Sequence, residues 1–289
     1  MSFRDHIRSC NTYDPARAVP LIAGSERIGL VRCDNAELLR RFPDVFAVED
    51  DKVSLAADGD VETVSRMVEG VVDALVVENR VPKWRNETFD VASHWGAPPV
   101  FRLDRGAVPF FGTRAYGVHL NGYLREGDAL YLWVGRRAPD KKVAPNKLDN
   151  LVAGGVGNGY GIAETLLKEG EEEAAIPTDI TKHALPVGAI SYRMETELGI
   201  RDDVLFVYDL EMPADFRPEN RDGEIIHFEL LPASVVLDRV RTTDDFKFNV
   251  NLVILDFALR HGLLQPDDPE LKRPNLQPAP NFVIEERQR

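Results

Sequence analysis

The stretch from Gly154 to Ile176, GGVGNGYGIAETLLKEGEEEAAI, decides how the rest of the sequence is interpreted. A glycine-rich turn leads into a helical segment that stops at Pro177, and Glu169, Glu172 and Glu173 stand in it at i, i+3 and i+4. On a helix this spacing places three carboxylates on one face, where like charges repel by roughly 0.2–0.5 kcal/mol per pair. A divalent cation that prefers oxygen ligands would turn this repulsion into coordination. A solvated acidic face is the simpler interpretation of the three residues taken alone.

The residues that flank the acidic run resemble the Nudix box, G-x5-E-x7-R-E-U-x-E-E-x-G-U, where U is aliphatic. Gly154 takes the first glycine position, Glu169 the acid after the arginine position, and Glu172 and Glu173 the paired acids. Four positions depart from the pattern, where an acid, an arginine, an aliphatic residue and a glycine are replaced by Tyr160, Lys168, Gly170 and Ala175. The resemblance assigns Glu169, Glu172 and Glu173 to metal binding, and all three are intact.

Two of these departures have physical consequences within the helix. Glu164 lies four residues before Lys168, in the order that favours a helical ion pair, so we expect Glu164 to hold Lys168. An ordinary surface pair of little energetic value is the alternative. Gly170 costs about 1 kcal/mol relative to alanine, and either admits a close neighbour or reflects drift.

The resemblance extends over the chain from about Val19 to Leu264, through segments such as KLDNLVAGG and NVNLVILDFALRHG. These segments are similar to a Nudix branch that carries an extra N-terminal domain. That branch includes plant and bacterial Nudix proteins and the Nudix part of fungal thiamine pyrophosphokinase. The resemblance implies an α/β (α+β) fold, a Nudix α/β/α sandwich with a mixed sheet after a small α/β domain. It also implies Mg²⁺ or Mn²⁺, a homodimer, and hydrolysis of damaged or analogue thiamine diphosphates, the oxy- and oxothiamine forms.

The elements predicted from hydrophobic periodicity fit three parts: an N-terminal α/β domain (1–105), a Nudix domain (106–264) and a proline-rich, extended or disordered tail (265–289). Helices are predicted over 61–79, 232–240 and 246–261, and a helix-to-strand transition within 184–198. Strands are predicted over 116–124, 129–137, 148–153, 204–212 and 224–231.

Several residues outside the acidic run are candidates for the site. Arg136 and Arg137 end a predicted strand beside the box and Lys147 follows in a loop, so each is a candidate for binding phosphate. Trp84 offers an aromatic face for a cationic ring, or packs between domains. His119 is expected to be a packed core histidine.

The general base is either Glu173 or an acid from a distant strand, and Lys168 joins them as a catalytic candidate. Glu224 is preferred over Glu229 because it follows a turn. The two differ by an odd number of residues, so on one strand they face opposite sides.

Composition restricts the functional class and the compartment. The net charge of −13 argues against a protein that follows nucleic-acid phosphates. Cys10 and Cys33 are too few for a disulfide framework, and the N-terminus has no apolar signal core, so we expect a cytoplasmic protein without membrane contact.

These observations predict metal-assisted hydrolysis of a small-molecule diphosphate to a monophosphate and phosphate. Two alternatives stay open. One is a general Nudix hydrolase of nucleoside diphosphate derivatives such as ADP-ribose or dinucleotides, and the other is a Nudix-fold module that binds a ligand without cleaving it.

Overall fold

The computed structural model describes residues 1–82 and 87–271. Within these ranges, no helix is both long enough and apolar enough to cross a membrane. The helices are α1 Phe3–Ser9, α2 Cys33–Leu39, α3 Val61–Val77, α4 Val108–Phe111, α5 Ile162–Ala174, α6 Thr178–Thr181, α7 Ala233–Thr242 and α8 Val250–Arg260. The strands are β1 Ala18–Ala23, β2 Glu26–Arg32, β3 Phe46–Val48, β4 Val53–Leu55, β5 Thr88–Val91, β6 Phe101–Asp104, β7 Arg114–Glu126, β8 Ala129–Arg137, β9 Leu148–Asp149, β10 Val152–Gly155, β11 Leu185–Glu195, β12 Ile200–Glu211 and β13 Ile225–Pro232.

The first half of the chain builds a small sheet with helices on it. Four strands pair in the order β2-β1-β4-β3, and β5 and β6 form a separate antiparallel hairpin. Helix α3 begins where the Asp60 side chain accepts a hydrogen bond from the amide of Thr63 at 2.8 Å, a standard way to satisfy a free N–H at a helix start. Its apolar face, including Val68 and Leu75, is fully buried in the core of this half, which confirms the helix predicted over 61–79.

The second half contains a mixed sheet in the order β11-β12-β7-β8-β13, to which β10 adds beside β7 and β9 beside β8. Strands β7 and β12 run parallel, whereas the other pairs are antiparallel. The segment 148–153 was predicted as one strand and is two, because β9 pairs with β8 at Gly135 and Arg136 whereas β10 pairs with the first half of β7. The sheet therefore opens between β10 and β8.

Helices cover both faces of this sheet, as the predicted sandwich requires. On one face, Leu166 of α5 packs with Val118 and Leu120 of β7. On the other, α7 and α8 pack with β8, and Phe3 of α1 joins their core. The N-terminal helix therefore contributes to the core of the second half.

Two further sequence predictions, both of helical segments, differ from the structure. Residues 185–195 form strand β11, and the only helical turn nearby among the described residues is α6, which ends at Thr181. Helix α8 begins at Val250 and not at Phe246, because Phe246 is buried and bridges to Leu148 in extended form.

The described start of the predicted tail folds back onto the N-terminus. The amide of Phe3 donates to Oε2 of Glu270 at 3.0 Å, and Arg241 pairs with both Asp268 and Glu270. Residues 272–289 lie outside the described ranges.

Candidate functional site

A cavity of about 1100 Å³ lies where the sheet opens, between β10, the acidic end of α5 and the loop before β13. The backbone of Gly117 in β7 and of Ala153 in β10 forms its floor. Phe89 of the β5–β6 hairpin also lines the cavity. Its ring lies close to β10, since a Cβ on Gly155 would be 3.0 Å from it. Both halves of the chain therefore contribute to one cavity.

Lys168 does not pair with Glu164 as the spacing predicted. Glu164 instead accepts a hydrogen bond from the amide of Gly161 at 2.9 Å, because the first turn of α5 has free N–H groups to satisfy. The Nζ of Lys168 lies 2.7 Å from Oε2 of Glu172 and 3.1 Å from Oε1 of Glu169. Burial lowers the pKa of Lys168, but the hydrogen bonds to these two carboxylates outweigh it and raise the pKa overall.

The three acids of the box differ in environment. Glu173 is buried and its Oε2 accepts a hydrogen bond from the amide of Ala153 at 2.8 Å. Glu169 is largely covered, whereas the Glu172 side chain is 48% exposed. A Cβ on Gly154 would stand 2.3 Å from Cγ of Glu169. The first glycine of the box is therefore needed to seat Glu169 against β10.

A second acidic segment meets α5 at the cavity. Carboxylate oxygens of Glu173, Asp222 and Glu224 all lie within 4.8 Å of one another. Glu224 was preferred from the sequence, and it lines the cavity, whereas Glu229 lies on β13 beside His227 and Arg239. Asp222 was not predicted. Its place two residues before Glu224 in the same turn was the available signal.

These carboxylates repel one another at the cavity wall, where they are partly shielded from solvent. Burial, followed by the charges of Glu169, Asp149 and Glu224, raises the pKa of Glu173 well above its ordinary value. Burial likewise raises the pKa of Glu169 and Asp222. Lys141 pairs with Glu224, but three close carboxylates still repel one another, and their oxygens are the ligands that hard divalent cations prefer. The donor set therefore fits a hard divalent cation, and of the three acids that the resemblance assigned to metal binding it contains only Glu173.

Two cations lie close to this acidic cluster, of which Arg137 is buried and Lys247 has a side chain that is 13% exposed. Nη1 of Arg137 lies 2.8 Å from Oδ2 of Asp149, and Nζ of Lys247 lies 3.1 Å from the same oxygen. Arg137 and Lys247 both line the cavity. Asp149 is shared between the two cations, and the carboxylate of Glu173 also attracts Lys247. Lys247 was missed because it lies about a hundred residues from Asp149 in the chain.

The structure does not bring every predicted cation to the cavity. Arg136 donates to the carbonyl of Asn146 at 2.8 Å, and Lys147 pairs with Asp244, and neither lines the cavity. On a strand, neighbours point to opposite faces, which separates Arg136 from Arg137. Trp84 lies outside the described residues, so its predicted role stays a prediction.

His119 is a buried residue of the cavity floor with a fixed hydrogen-bond partner. Its Nδ1 lies 2.8 Å from Oδ1 of Asn150, whose amide nitrogen donates to Asn121 at 2.9 Å. Burial lowers the pKa of His119 to about 4. His119 is therefore a neutral packed residue at pH 7, which fits the sequence interpretation.

Comparisons with known proteins show which proteins the chain is similar to. The chain is 37% identical to Nudix hydrolase 20, chloroplastic, of Arabidopsis thaliana over 92% of its own length and 74% of that protein. It is 39% identical to Nudix hydrolase 24, chloroplastic, of the same plant, over 87% of the chain and 70% of the relative. Residues 2–115 match a domain of unknown function, DUF4743. Among solved structures, DR0079 from Deinococcus radiodurans is 23% identical with a TM-score of 0.43, covering 58% of this chain and 98% of that one.

A carboxylate cluster with Arg137 and Lys247 close to it, in a cavity where a sheet opens beneath a helix, is the candidate site of this chain. With its similarity to both plant proteins over most of their length, the chain belongs to the Nudix hydrolase family. The predicted enzyme class, a hydrolase of phosphoanhydride bonds, and the predicted fold are thereby confirmed.

Proposed function

We propose that this chain hydrolyses the diphosphate group of a small molecule to a monophosphate and phosphate, with Mg²⁺ or Mn²⁺ held mainly by Glu173, Asp222 and Glu224. The observation that carries the proposal is the meeting of these three carboxylates within 4.8 Å at the cavity wall. On α5, Glu169 lies one helical turn before Glu173 and Glu172 directly precedes it. Both pair with Lys168, which a further cation would have to displace. The bound metal would neutralise phosphate charge and lower the pKa of its water.

The residues of the chain divide the remaining work between them. Arg137 and Lys247 line the cavity and supply positive charge that attracts the diphosphate. Glu173 is held by the amide of Ala153, which suits a rigid ligand. Glu224 pairs with Lys141 and its side chain is 40% exposed, so a water molecule can reach its carboxylate. We therefore assign Glu224 as the group that accepts the proton of the attacking water.

We propose oxidised or analogue thiamine diphosphates as the substrate class. The support comes from the resemblance of the KLDNLVAGG and NVNLVILDFALRHG segments to the Nudix branch described above. Phe89 and Glu87 also line the cavity, where Arg105 pairs with Glu87 at 2.8 Å and lies over the ring of Phe89. The cytoplasmic location and the homodimer stay predictions.

The experiment is phosphate release from a panel of oxythiamine diphosphate, thiamine diphosphate, ADP-ribose and diadenosine polyphosphate, with EDTA, Mg²⁺ or Mn²⁺. We expect metal-dependent turnover concentrated on the thiamine compounds. Turnover only on the nucleotides would retain the hydrolysis and replace the substrate by nucleoside diphosphate derivatives. A folded protein inactive on the whole panel would refute the proposed activity and favour a module that binds without cleaving.

A further inference from the structure

The turn between β11 and β12 is part of the cavity wall. Thr196, Glu197 and Leu198 of this turn all line the cavity. Two backbone hydrogen bonds close the turn, since the amide of Thr196 donates to the carbonyl of Gly199 at 2.7 Å and the amide of Gly199 donates back at 3.3 Å. The carboxylate cluster and the two cations close to it come from other segments. The turn is therefore a part of the wall that holds neither the metal ligands nor the phosphate-binding groups proposed above.

Side chains from the first half of the chain hold the carbonyl groups of this turn. Nη1 of Arg32 donates to the carbonyl of Thr196 at 2.9 Å, and Nη2 donates to that of Glu197 at 3.2 Å. Nδ2 of Asn35 donates to the carbonyl of Leu198 at 2.9 Å. Three successive carbonyls of the turn therefore accept hydrogen bonds from two side chains that are remote in the sequence.

Both of these side chains are fixed by further contacts. The Arg32 guanidinium forms a two-point ion pair with Asp34, a geometry that holds the planar group in one orientation. Asn35 is 5% exposed, and its amide nitrogen also donates to a carbonyl of α4 at 3.1 Å. The turn itself fits closely, because a Cβ on Gly199 would lie 2.1 Å from the carbonyl oxygen of Pro109. The first half of the chain is therefore a rigid support for this part of the wall.

We propose that Arg32 and Asn35 are positioning residues, through which the first half of the chain holds the β11–β12 turn against the non-phosphate part of the substrate. Both lie within the segment 2–115 that matches the domain of unknown function. Leu198 of the turn and Leu205 of β12 line the cavity, and apolar walls are typical of sites that cover the organic part of a ligand. A wall that is ordered before binding spares the complex the cost of ordering it. The assignment rests on the proposed function, since it concerns the substrate of the same cavity.

The test compares ligands with and without the non-phosphate part. Calorimetry in Ca²⁺ would measure the binding of two whole compounds, oxythiamine diphosphate and ADP-ribose, and of inorganic diphosphate to the full chain. Ca²⁺ takes oxygen ligands as Mg²⁺ does but at longer distances, so it polarises the attacking water less. In Asn35→Ala we expect the whole compound that binds the wild type more tightly to lose about tenfold in affinity, and inorganic diphosphate to lose less than about twofold.

Hydrogen exchange of the turn is a second measurement, which needs no ligand. The amides of Thr196 and Gly199 should exchange faster in Asn35→Ala, because the turn loses a support. Arg32→Met removes the other two hydrogen bonds to the turn, and it should show the same selective loss of affinity even if Asn35→Ala is unstable. Val68→Ala is the matched control, because Val68 is buried in the core of the same half and does not line the cavity. It should leave the relative affinities unchanged.

A selective loss for the whole compound, with faster exchange of the turn, would support the assignment. Equal losses for the whole compound and inorganic diphosphate, no loss for either, or unchanged exchange of the turn in folded variants would overturn it. A wild type that binds neither whole compound more tightly than inorganic diphosphate would overturn it as well. Failure of hydrolysis with an intact selective loss would instead count against the proposed function alone.

Discussion

Replacing Glu173 by glutamine is expected to make the metal-free protein more stable. Two unit charges 4.8 Å apart, the limit that encloses the Glu173, Asp222 and Glu224 oxygens, repel by about 3.5 kcal/mol at an effective dielectric of about 20. Glutamine retains an acceptor for the amide of Ala153 and removes this repulsion. Solvent around the partly exposed Glu224 and the attraction of Lys247 for Glu173 reduce the gain. We therefore expect Glu173→Gln to raise the free energy of unfolding by about 1–3 kcal/mol.

The assay is urea unfolding in EDTA and again with saturating Mn²⁺. Metal should stabilise the wild type by about 2.7 kcal/mol at a hundred times the Kd, and the variant much less. Glu171→Gln is the control, because Glu171 lies on the same helix with a 61% exposed side chain, and it should change stability by less than about 0.5 kcal/mol. A metal-free Glu173→Gln protein less stable than the wild type would refute the repulsion.

The pH dependence of this effect has a defined sign. The pKa of Glu173 is raised in the folded state, so folding binds this proton more tightly than the unfolded chain does. The destabilisation is therefore fully present above the folded pKa and is relieved as the pH falls through it. The advantage of Glu173→Gln should shrink as the pH is lowered from neutrality.

Three further substitutions test the site and its helix. Asp222→Asn should lower Mn²⁺ affinity by about 10²-fold by isothermal titration, while Glu229→Gln, on β13 away from the cavity, should leave it unchanged; equal losses would contradict the cluster. Gly154→Ala should reduce kcat by about 10²-fold, because its Cβ would displace Glu169, whereas Gly157→Ala, with its nearest atom 3.8 Å away, should retain activity. Ala175→Gly should raise the unfolding free energy by about 0.5–1 kcal/mol, since Ala175 has a φ of +53° at the end of α5; a lower midpoint in urea would contradict that strain.

Helix α5, which carries the Nudix box, and the glycine position at its end could be predicted because both depend on residues that are close together in the sequence. The i, i+3, i+4 spacing places Glu169, Glu172 and Glu173 along one side of α5 wherever that helix packs. The box glycine missing at Ala175 is explained by the structure, since that residue adopts the left-handed conformation for which glycine is the usual choice. The ion pair from Glu164 to Lys168 was wrong, because the free amide of Gly161 competes for the same carboxylate.

The residues that meet helix α5 at the site could not be predicted in the same way. Asp222 and Glu224 reach Glu173 only because β13 pairs with β8, through contacts such as that between Ile225 and Arg137. Sequence spacing holds no information about a pairing between residues so far apart. The same applies to Lys247, which meets Asp149 through the approach of the segment before α8 to β9.

The sequence by itself therefore determined the family, the order of most helices and strands, and one wall of the site, since periodicity and helical spacing act over a few residues. Tertiary structure alone decided which acids converge, which cations stand behind them, and that Arg137 faces the cavity while Arg136 does not. The reason is that a metal or phosphate site is a sum of charges at short range. Chain segments that are far apart in sequence contribute those charges, and only sheet pairing sets the distances between them.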